Sequence, residues 1–368
     1  MSILHKSEAG YFICHRNLSE EMCGRPYNRN LFDIRTPFLK DQEAASVAQE
    51  MESGVTKKRK RKKNHEVKPL PLEESSVLEL LSELSSFFKP PPSPLDFTVN
   101  NTPARNMVTK FLSSVPGLKI QDTNFQMSCV NSSEQIIEKD IDGETFILPP
   151  HSQFYKSDIG YLETLVKSGR TFSLIVMDPS WTNRFVKRKR HAGGPNSYQS
   201  MDNDILATLP ISKLCTQGTL VVVWCTNSKT HLDYLSNTLL PLWNLTYVAT
   251  WFWIKITKSG KFVCPWNGPS GKHPFERIIL ARKIIPTKGT LEIEPVPDKK
   301  LVVSVPCAIH SFKPPLQKLL RPFLTSDNQT LELFARSLMP YTVSLGNQVP
   351  LLQHTSLFEE KNEQSISF

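Results

Sequence analysis

The sequence predicts an α/β chain, an open sheet wound on both faces by helices, and three observations predict it. Short, almost wholly apolar runs at residues 172–177, 219–224, 247–253 and 277–281 lack a polar/apolar alternation, as expected of strands covered on both faces. Helical stretches at 158–168, 228–240 and 316–321 alternate with them. The texture also changes near Gly143, before which the chain reads as helices and charged linker. The expected division is an amino-terminal segment at 1–50, a basic linker at 51–73, a helical middle region at 74–142, the sheet domain at 143–355 and a tail at 356–368.

Taken in order, residues 1–50 hold Tyr11, Phe12, Ile13, Tyr27, Leu31 and Phe32, too few apolar groups for a separate core, so this segment is expected to dock onto the rest. The run of seven Lys/Arg residues from Lys57 to Lys63 cannot bury a core and reads as a nuclear localisation signal, with a phosphate-binding arm as its other use. Residues 74–88 place Val77, Leu80, Leu81, Leu84, Phe87 and Phe88 at helical spacing, and the prolines from Pro90 to Pro92 stop that helix. A second helix begins at Thr102, with Pro103 at its first turn, and runs to Pro116.

The apolar runs after Gly143, alternating with helices, have the pattern of a Rossmann-like domain, which keeps its ligands at the carboxyl ends of its strands. Composition narrows the chemistry. A formal net charge of +9 over 368 residues favours a polyanionic partner, nucleic acid first. The seven cysteines form no C-x-x-C pair, so neither a disulfide framework nor a thiolate zinc site is expected, and no metal. No apolar run of about 18 residues occurs and no leader opens the chain, so a soluble intracellular protein without a membrane segment is expected.

Asp178-Pro179-Ser180-Trp181 follows the first apolar run, at the strand end where such a sheet holds its site. A carboxylate, a carbonyl on a proline-stiffened turn and an aromatic plane can accept hydrogen bonds from an exocyclic amine and hold a purine flat; stacking a base contributes about 1–3 kcal/mol. Alone, the string is more often a turn with a packed tryptophan. Its surroundings add Ser157-Asp158-Ile159, the strand ending Trp224-Cys225-Thr226-Asn227, the segment His310-Ser311-Phe312-Lys313-Pro314-Pro315, then Glu332-Leu333-Phe334-Ala335-Arg336 and Leu345-Gly346-Asn347-Gln348. In these motifs and their order the chain resembles the MT-A70 family of adenine N6-methyltransferases over residues 149–353. Asn183, the stretch from Val186 to Arg188, residues 262–275 and the Glu332–Arg336 spelling look most like its branch called methyltransferase-like protein four.

The resemblance implies a Rossmann-like S-adenosylmethionine-dependent methyltransferase domain in the permuted, β-class order. It also implies S-adenosyl-L-methionine as cofactor and N6-methylation of adenosine in RNA, 2′-O-methyladenosine of U2 small nuclear RNA in that branch. Asp178, Pro179, Ser180 and Trp181 would be catalytic. Asp158, Ile159, Asp178, Lys313, Phe334, Arg336, Asn347 and Gln348 would hold the cofactor: Asp158 and Ile159 its adenine, Lys313 its methionine carboxylate, and Arg336 with Asn347 and Gln348 its ribose. Glu332 would support Arg336. Asn183, Lys187, Arg188 and Arg190, in a basic loop beside the site, and Trp266 would meet the substrate.

Ser180 departs from the family's second proline; it frees a φ angle but keeps the carbonyl, so an altered rate rather than lost chemistry is expected. Two alternatives share the fold, a DNA adenine methyltransferase and an inactive nucleic-acid-binding scaffold. The attached amino-terminal region favours a self-sufficient monomer over a heterodimer.

Overall fold

The computed structural model describes residues 1–38, 72–90, 101–114, 127–181, 203–266, 272–286, 293–325 and 329–360. Its strands are β1 (Ile3–Lys6), β2 (Gly10–Ile13), β3 (Met127–Asn131), β4 (Ile137–Ile141), β5 (Glu144–Leu148), β6 (Ser152–Lys156), β7 (Phe172–Met177), β8 (Cys215–Cys225), β9 (Thr246–Lys255), β10 (Phe275–Arg282), β11 (Leu301–Ser304), β12 (Thr330–Leu333) and β13 (Thr342–Gly346). All but the β4–β5 hairpin join one mixed sheet in the order β1-β2-β11-β9-β10-β8-β7-β12-β13-β6-β3. Within it β8, β7, β12, β13 and β6 run parallel, and β10 enters antiparallel between β8 and β9. The fold is α/β and Rossmann-like, as the apolar runs predict.

The central strand is the most apolar one. All six residues of β7 are buried: on one face of the sheet Ile175 and Met177, beside Val221 and Val223 of the next strand, join a core that includes Leu239, and on the other Leu174 and Val176 join one that includes Trp224 and Leu320. The chain leaves β7 towards β8 on one side and returns to β12 on the other, so the order reverses between β7 and β12. Such a reversal opens a crevice at the carboxyl ends of both strands.

The helices expected at 74–88 and 102–116 are α2 (Glu74–Glu83), followed by a short 3-10 turn over Ser85–Phe87, and α3 (Thr102–Ser114). Helix α2 buries Val77, Leu80 and Leu81 against Phe252 and Ile254, so its apolar face is core. The expected 158–168 and 316–321 helices are shorter, α4 (Leu162–Lys167) and α6 (Gln317–Leu320), and that at 228–240 begins as α5 (Lys229–Tyr234) before widening into a π turn over Leu235–Leu239.

Residues 1–38 do more than dock. Strand β2 pairs in parallel with β11, Gly10 opposite Leu301, and a Cβ on Gly10 would stand 2.0 Å from the Leu301 carbonyl oxygen, an approach only glycine permits. Helix α1 (His15–Cys23) follows, ended by Gly24 in the left-handed region at φ 71°. Tyr27 then stacks on Phe358 at 4.2 Å, and Asn28 N–H donates to the Leu357 carbonyl, tying the arm to the far end of the chain. The sheet thus extends past the boundary expected at Gly143, taking β3 from the middle region and β1 and β2 from the amino-terminal segment.

Candidate active site

A pocket opens in the crevice at the ends of β7 and β12, where the reversal of strand order leaves a gap in the fold. Its wall includes Asp178 after β7, Trp224 near the end of β8, the stretch from Ser311 to Gln317, and Glu332, Phe334 and Arg336 around the end of β12. Local backbone explains the last three. Phe334 adopts φ 61°, a left-handed conformation that costs a bulky residue about 1–2 kcal/mol. The reversal lets Ala335 N–H donate to the Leu345 carbonyl at 3.0 Å and turns Arg336 back towards β7. Gly346 is required opposite, since its Cβ would lie 2.5 Å from the Ala335 carbonyl oxygen.

A chain of charges runs from the cavity wall into the protein. Arg336 holds Gln348 Oε1 through Nε at 2.9 Å and Asp178 Oδ2 through its terminal nitrogen at 2.8 Å. The other carboxylate oxygen of Asp178 lies 3.8 Å from Lys313 Nζ, which is 2.5 Å from Glu276 Oε2; Glu276 Oε1 in turn pairs with Lys255. Both ammonium groups rest on aromatic faces, Lys255 over Trp253 at 4.5 Å and Lys313 over Trp224 at 5.3 Å. Trp253 is itself fixed by an indole N–H donated to Ser304 Oγ at 2.8 Å.

Burial alone would raise the Glu276 carboxyl, but the ammonium groups of Lys255 and Lys313 outweigh it and hold that carboxyl well below the carboxylate range. Lys313 is pushed down by burial yet ends above its ordinary value because Asp178 and Glu276 favour its charge, whereas Lys255 ends below, burial dominating. Glu332 is the opposite case: burial, then the Asp178 charge, push its carboxyl up to about 8 against the pull of Arg336. Near neutral pH the site therefore holds the cations Lys255, Lys313 and Arg336 against the carboxylates Asp178 and Glu276, an excess that favours an anionic ligand group. His310 stays neutral, burial and the two lysines taking it down to about 4.

In the tetrapeptide, Trp181 N–H donates to the Pro179 carbonyl at 2.8 Å, a three-residue turn at the strand end. The Trp181 indole N–H donates to the Trp224 carbonyl at 2.7 Å, and His231 lies 5.1 Å from the ring, so the indole is locked and mostly buried. Ser180 is half-buried.

Of the residues expected to hold a cofactor, Asp178, Lys313, Phe334 and Arg336 meet at the cavity. Gln348 joins them through Arg336, and its Nε2 is buried without a hydrogen-bond partner. Asp158, Ile159 and Asn347 lie at the neighbouring carboxyl ends of β6 and β13, bridged by Ser157 N–H to the Gly346 carbonyl at 3.3 Å. There Asp158 is exposed and accepts from Gly160 N–H at 2.7 Å, capping the short 3-10 turn Ile159–Tyr161. Asn183, Lys187, Arg188 and Arg190 fall outside the described residues, as does the basic run from Lys57 to Lys63.

Trp266 corrects the expectation of a substrate-stacking platform. It is 4% exposed and packs between Phe262 at 5.2 Å and Phe275 at 5.0 Å, because the apolar end of β10 and helix α2 need a large group to fill the space between them. Lys255 and Glu276 are the site residues that sequence reasoning missed. The signal for Lys255 was a lone charge at the end of the otherwise uncharged strand β9, which a buried strand tolerates only with a partner; Glu276 stands beside Arg277 and carried no such mark.

Residues 172–348 match the MT-A70 family. The chain is 42% identical over 239 residues to the N(6)-adenine-specific methyltransferase METTL4 of Mus musculus, covering 61% of this chain and 49% of the relative. It is 36% identical over 236 residues to a DNA N6-methyl methyltransferase of Caenorhabditis elegans (64% of this chain, 61% of the relative). Identity is 31% over 247 residues to the N6-methyladenosine RNA methyltransferase MTA1 of Pyricularia oryzae (65% and 64%). The chain thus spans about half the length of the mouse relative.

Proposed function

From the match of residues 172–348 to the MT-A70 family we propose that this chain is an S-adenosylmethionine-dependent methyltransferase acting on the N6 amine of adenine in nucleic acid. The observation that carries the proposal is the convergence of Asp178, Lys313 and Arg336 on one cavity where the strand order reverses.

The residues present fit the cofactor. Lys313, in a neighbourhood with one cation in excess, suits the methionine carboxylate; its ammonium has three donors and can keep Glu276 while accepting a new partner. The unpartnered Gln348 Nε2, beside Arg336, suits a ribose hydroxyl. Bound there, S-adenosylmethionine supplies an electrophilic methyl on its own leaving group, so no metal is required. Asp178 then accepts an N–H of the target amine and keeps electron density on the nitrogen, with Arg336 and Lys313 orienting the carboxylate. The turn at Pro179 and Ser180 presents a carbonyl to the same amine, and the buried Trp181, held by the Trp224 carbonyl and by His231, props that turn in place.

As polymer we propose RNA, and within it 2′-O-methyladenosine of U2 small nuclear RNA, on the likeness to the METTL4 branch and to the RNA enzyme MTA1. The nematode relative, named as a DNA enzyme, supports DNA as the second reading. The run from Lys57 to Lys63 supports import into the nucleus, where such RNA is found. The test is transfer of labelled methyl from S-adenosylmethionine to matched RNA and DNA oligonucleotides, with and without a 2′-O-methylated adenosine, read by nucleoside mass spectrometry. N6-methylated product on the modified RNA is expected. Product on DNA alone would replace the polymer assignment, and failure on every substrate by folded protein would overturn the activity.

A further inference from the structure

The contacts of the amino-terminal arm converge on one stretch of the cavity wall. Residues 308–318, which carry Ser311, Lys313 and Gln317 of the lining, are tied to the arm at three points. In front, Ala308 N–H donates to the Leu31 carbonyl at 2.7 Å. Behind, Lys318 Nζ lies 2.5 Å from Glu21 Oε2 of α1, and Glu21 also accepts from Ser2 Oγ at 2.6 Å. Between them Phe312 meets His15 edge-on at 5.2 Å, Tyr27 at 5.0 Å and Phe32 at 6.2 Å. Among the described residues, the ring neighbours of Phe312 all come from the arm.

His15 is the centre of this brace. It is 2% exposed and also stands edge-on to Trp253 at 6.1 Å, the ring over which Lys313 (5.9 Å) and Lys255 (4.5 Å) rest. Neither ring nitrogen has a well-formed hydrogen bond; burial keeps the imidazole neutral, down at about 3, with the Lys313 backbone as the opposing influence.

We propose that His15 is a positioning residue of the cofactor cavity: wedged between Phe312 and Trp253, it fixes the residue next to Lys313 and the ring on which that ammonium rests. The arm, which lies outside the matched residues 172–348, is then a working part of the site. This rests on the reading that the cavity takes S-adenosylmethionine.

The experiment measures S-adenosylmethionine affinity by titration calorimetry, and amide exchange of residues 308–318, on the full chain and on its His15→Ala and His15→Phe variants. His15→Ala removes the wedge and should weaken binding about tenfold, with faster exchange confined to that stretch. His15→Phe keeps the wedge and should fold at least as stably as the unaltered chain, with affinity and exchange within about twofold of it. If His15→Ala does not fold, His15→Leu, which fills part of the space without a flat ring, replaces it and should lose about fivefold. A folded His15→Ala or His15→Leu protein with unchanged affinity and exchange would overturn the inference while leaving the site reading intact. An unaltered chain that binds no S-adenosylmethionine would overturn both.

Discussion

Replacing Glu276 by glutamine tests whether the charge chain behind the cavity wall is a buried network. Glu276 is the ion-pair partner of Lys255 among the described residues and shares Lys313 with Asp178. The amide keeps the shape and removes the charge, leaving Lys255 buried without a counter-ion, and breaking a buried pair in this way costs about 3–5 kcal/mol. For a fold of roughly 250–300 residues the unfolding entropy is about 0.6 kcal/mol/K, so a loss of about 4 kcal/mol lowers Tm by about 7 °C.

The pH dependence has a definite sign. In the unaltered protein the depressed Glu276 carboxyl contributes stability that is present above its unfolded value and lost as pH falls through the folded one. In the variant the remaining shift is that of Lys255, already below its ordinary value, so the unfolded chain binds the extra proton and the deficit shrinks as pH rises towards 10. Urea unfolding at pH 6 and pH 9 reads the Lys255 effect, and a series from pH 5 down to pH 3 reads that of Glu276. Adding Lys255→Met should restore more than half of the loss at pH 6. A cost under about 1 kcal/mol, or no recovery in the double variant, would show that the lysines are solvated and the reasoning wrong.

Asp178→Asn should lower kcat/KM by at least about 100-fold through loss of the acceptor, with Tm shifted by only a few degrees; normal nucleoside product in mass spectrometry would refute the catalytic assignment. Glu332→Gln should remove a slope in the stability curve. The Glu332 carboxyl, raised to about 8, is protonated in the fold where the unfolded chain has already ionised, so the stability it permits is present at low pH and fades as pH climbs towards 8. The variant should therefore gain on the unaltered protein by about 2 kcal/mol between pH 5 and pH 8, after discount for its partial exposure, and parallel curves in denaturant titrations would contradict this. Trp266→Ala should cost about 3–5 kcal/mol as a core truncation. Oligonucleotide affinity measured below the variant's unfolding range should not change; a selective loss of it would restore the stacking role.

The central strands were legible because their environment is uniform. A strand such as β7, buried on both faces, has to be apolar at every position, and that pattern shows in one sequence. The Asp178 tetrapeptide was legible for the same reason, since the end of such a strand marks where polar groups can resume. The outer strands were not. Strands β1, β2 and β11 are four residues each, too short for a period to declare itself, and β2 finds its partner β11 about 290 residues away. Trp266 misled because aromatic residues serve cores and stacking surfaces alike, and only its neighbours decide. Lys255 and Glu276 are meaningful as a pair across adjacent strands, a relation invisible before the register of β9 and β10 is known.

The pairing of β2 with β11 also orders events in time. Closing a ladder between residues 10 and 301 sacrifices far more chain freedom than any contact inside the β7–β8 region, so the arm is expected to be the last piece to settle as the protein folds. Until it does, Leu301–Ser304 present a row of unpaired backbone donors and acceptors flanked by Val302 and Val303, an edge to which another chain can add a strand. The first dozen residues are therefore a cover as well as a brace, and shortening the chain from that end should lower the soluble yield before it lowers anything measured at the cavity.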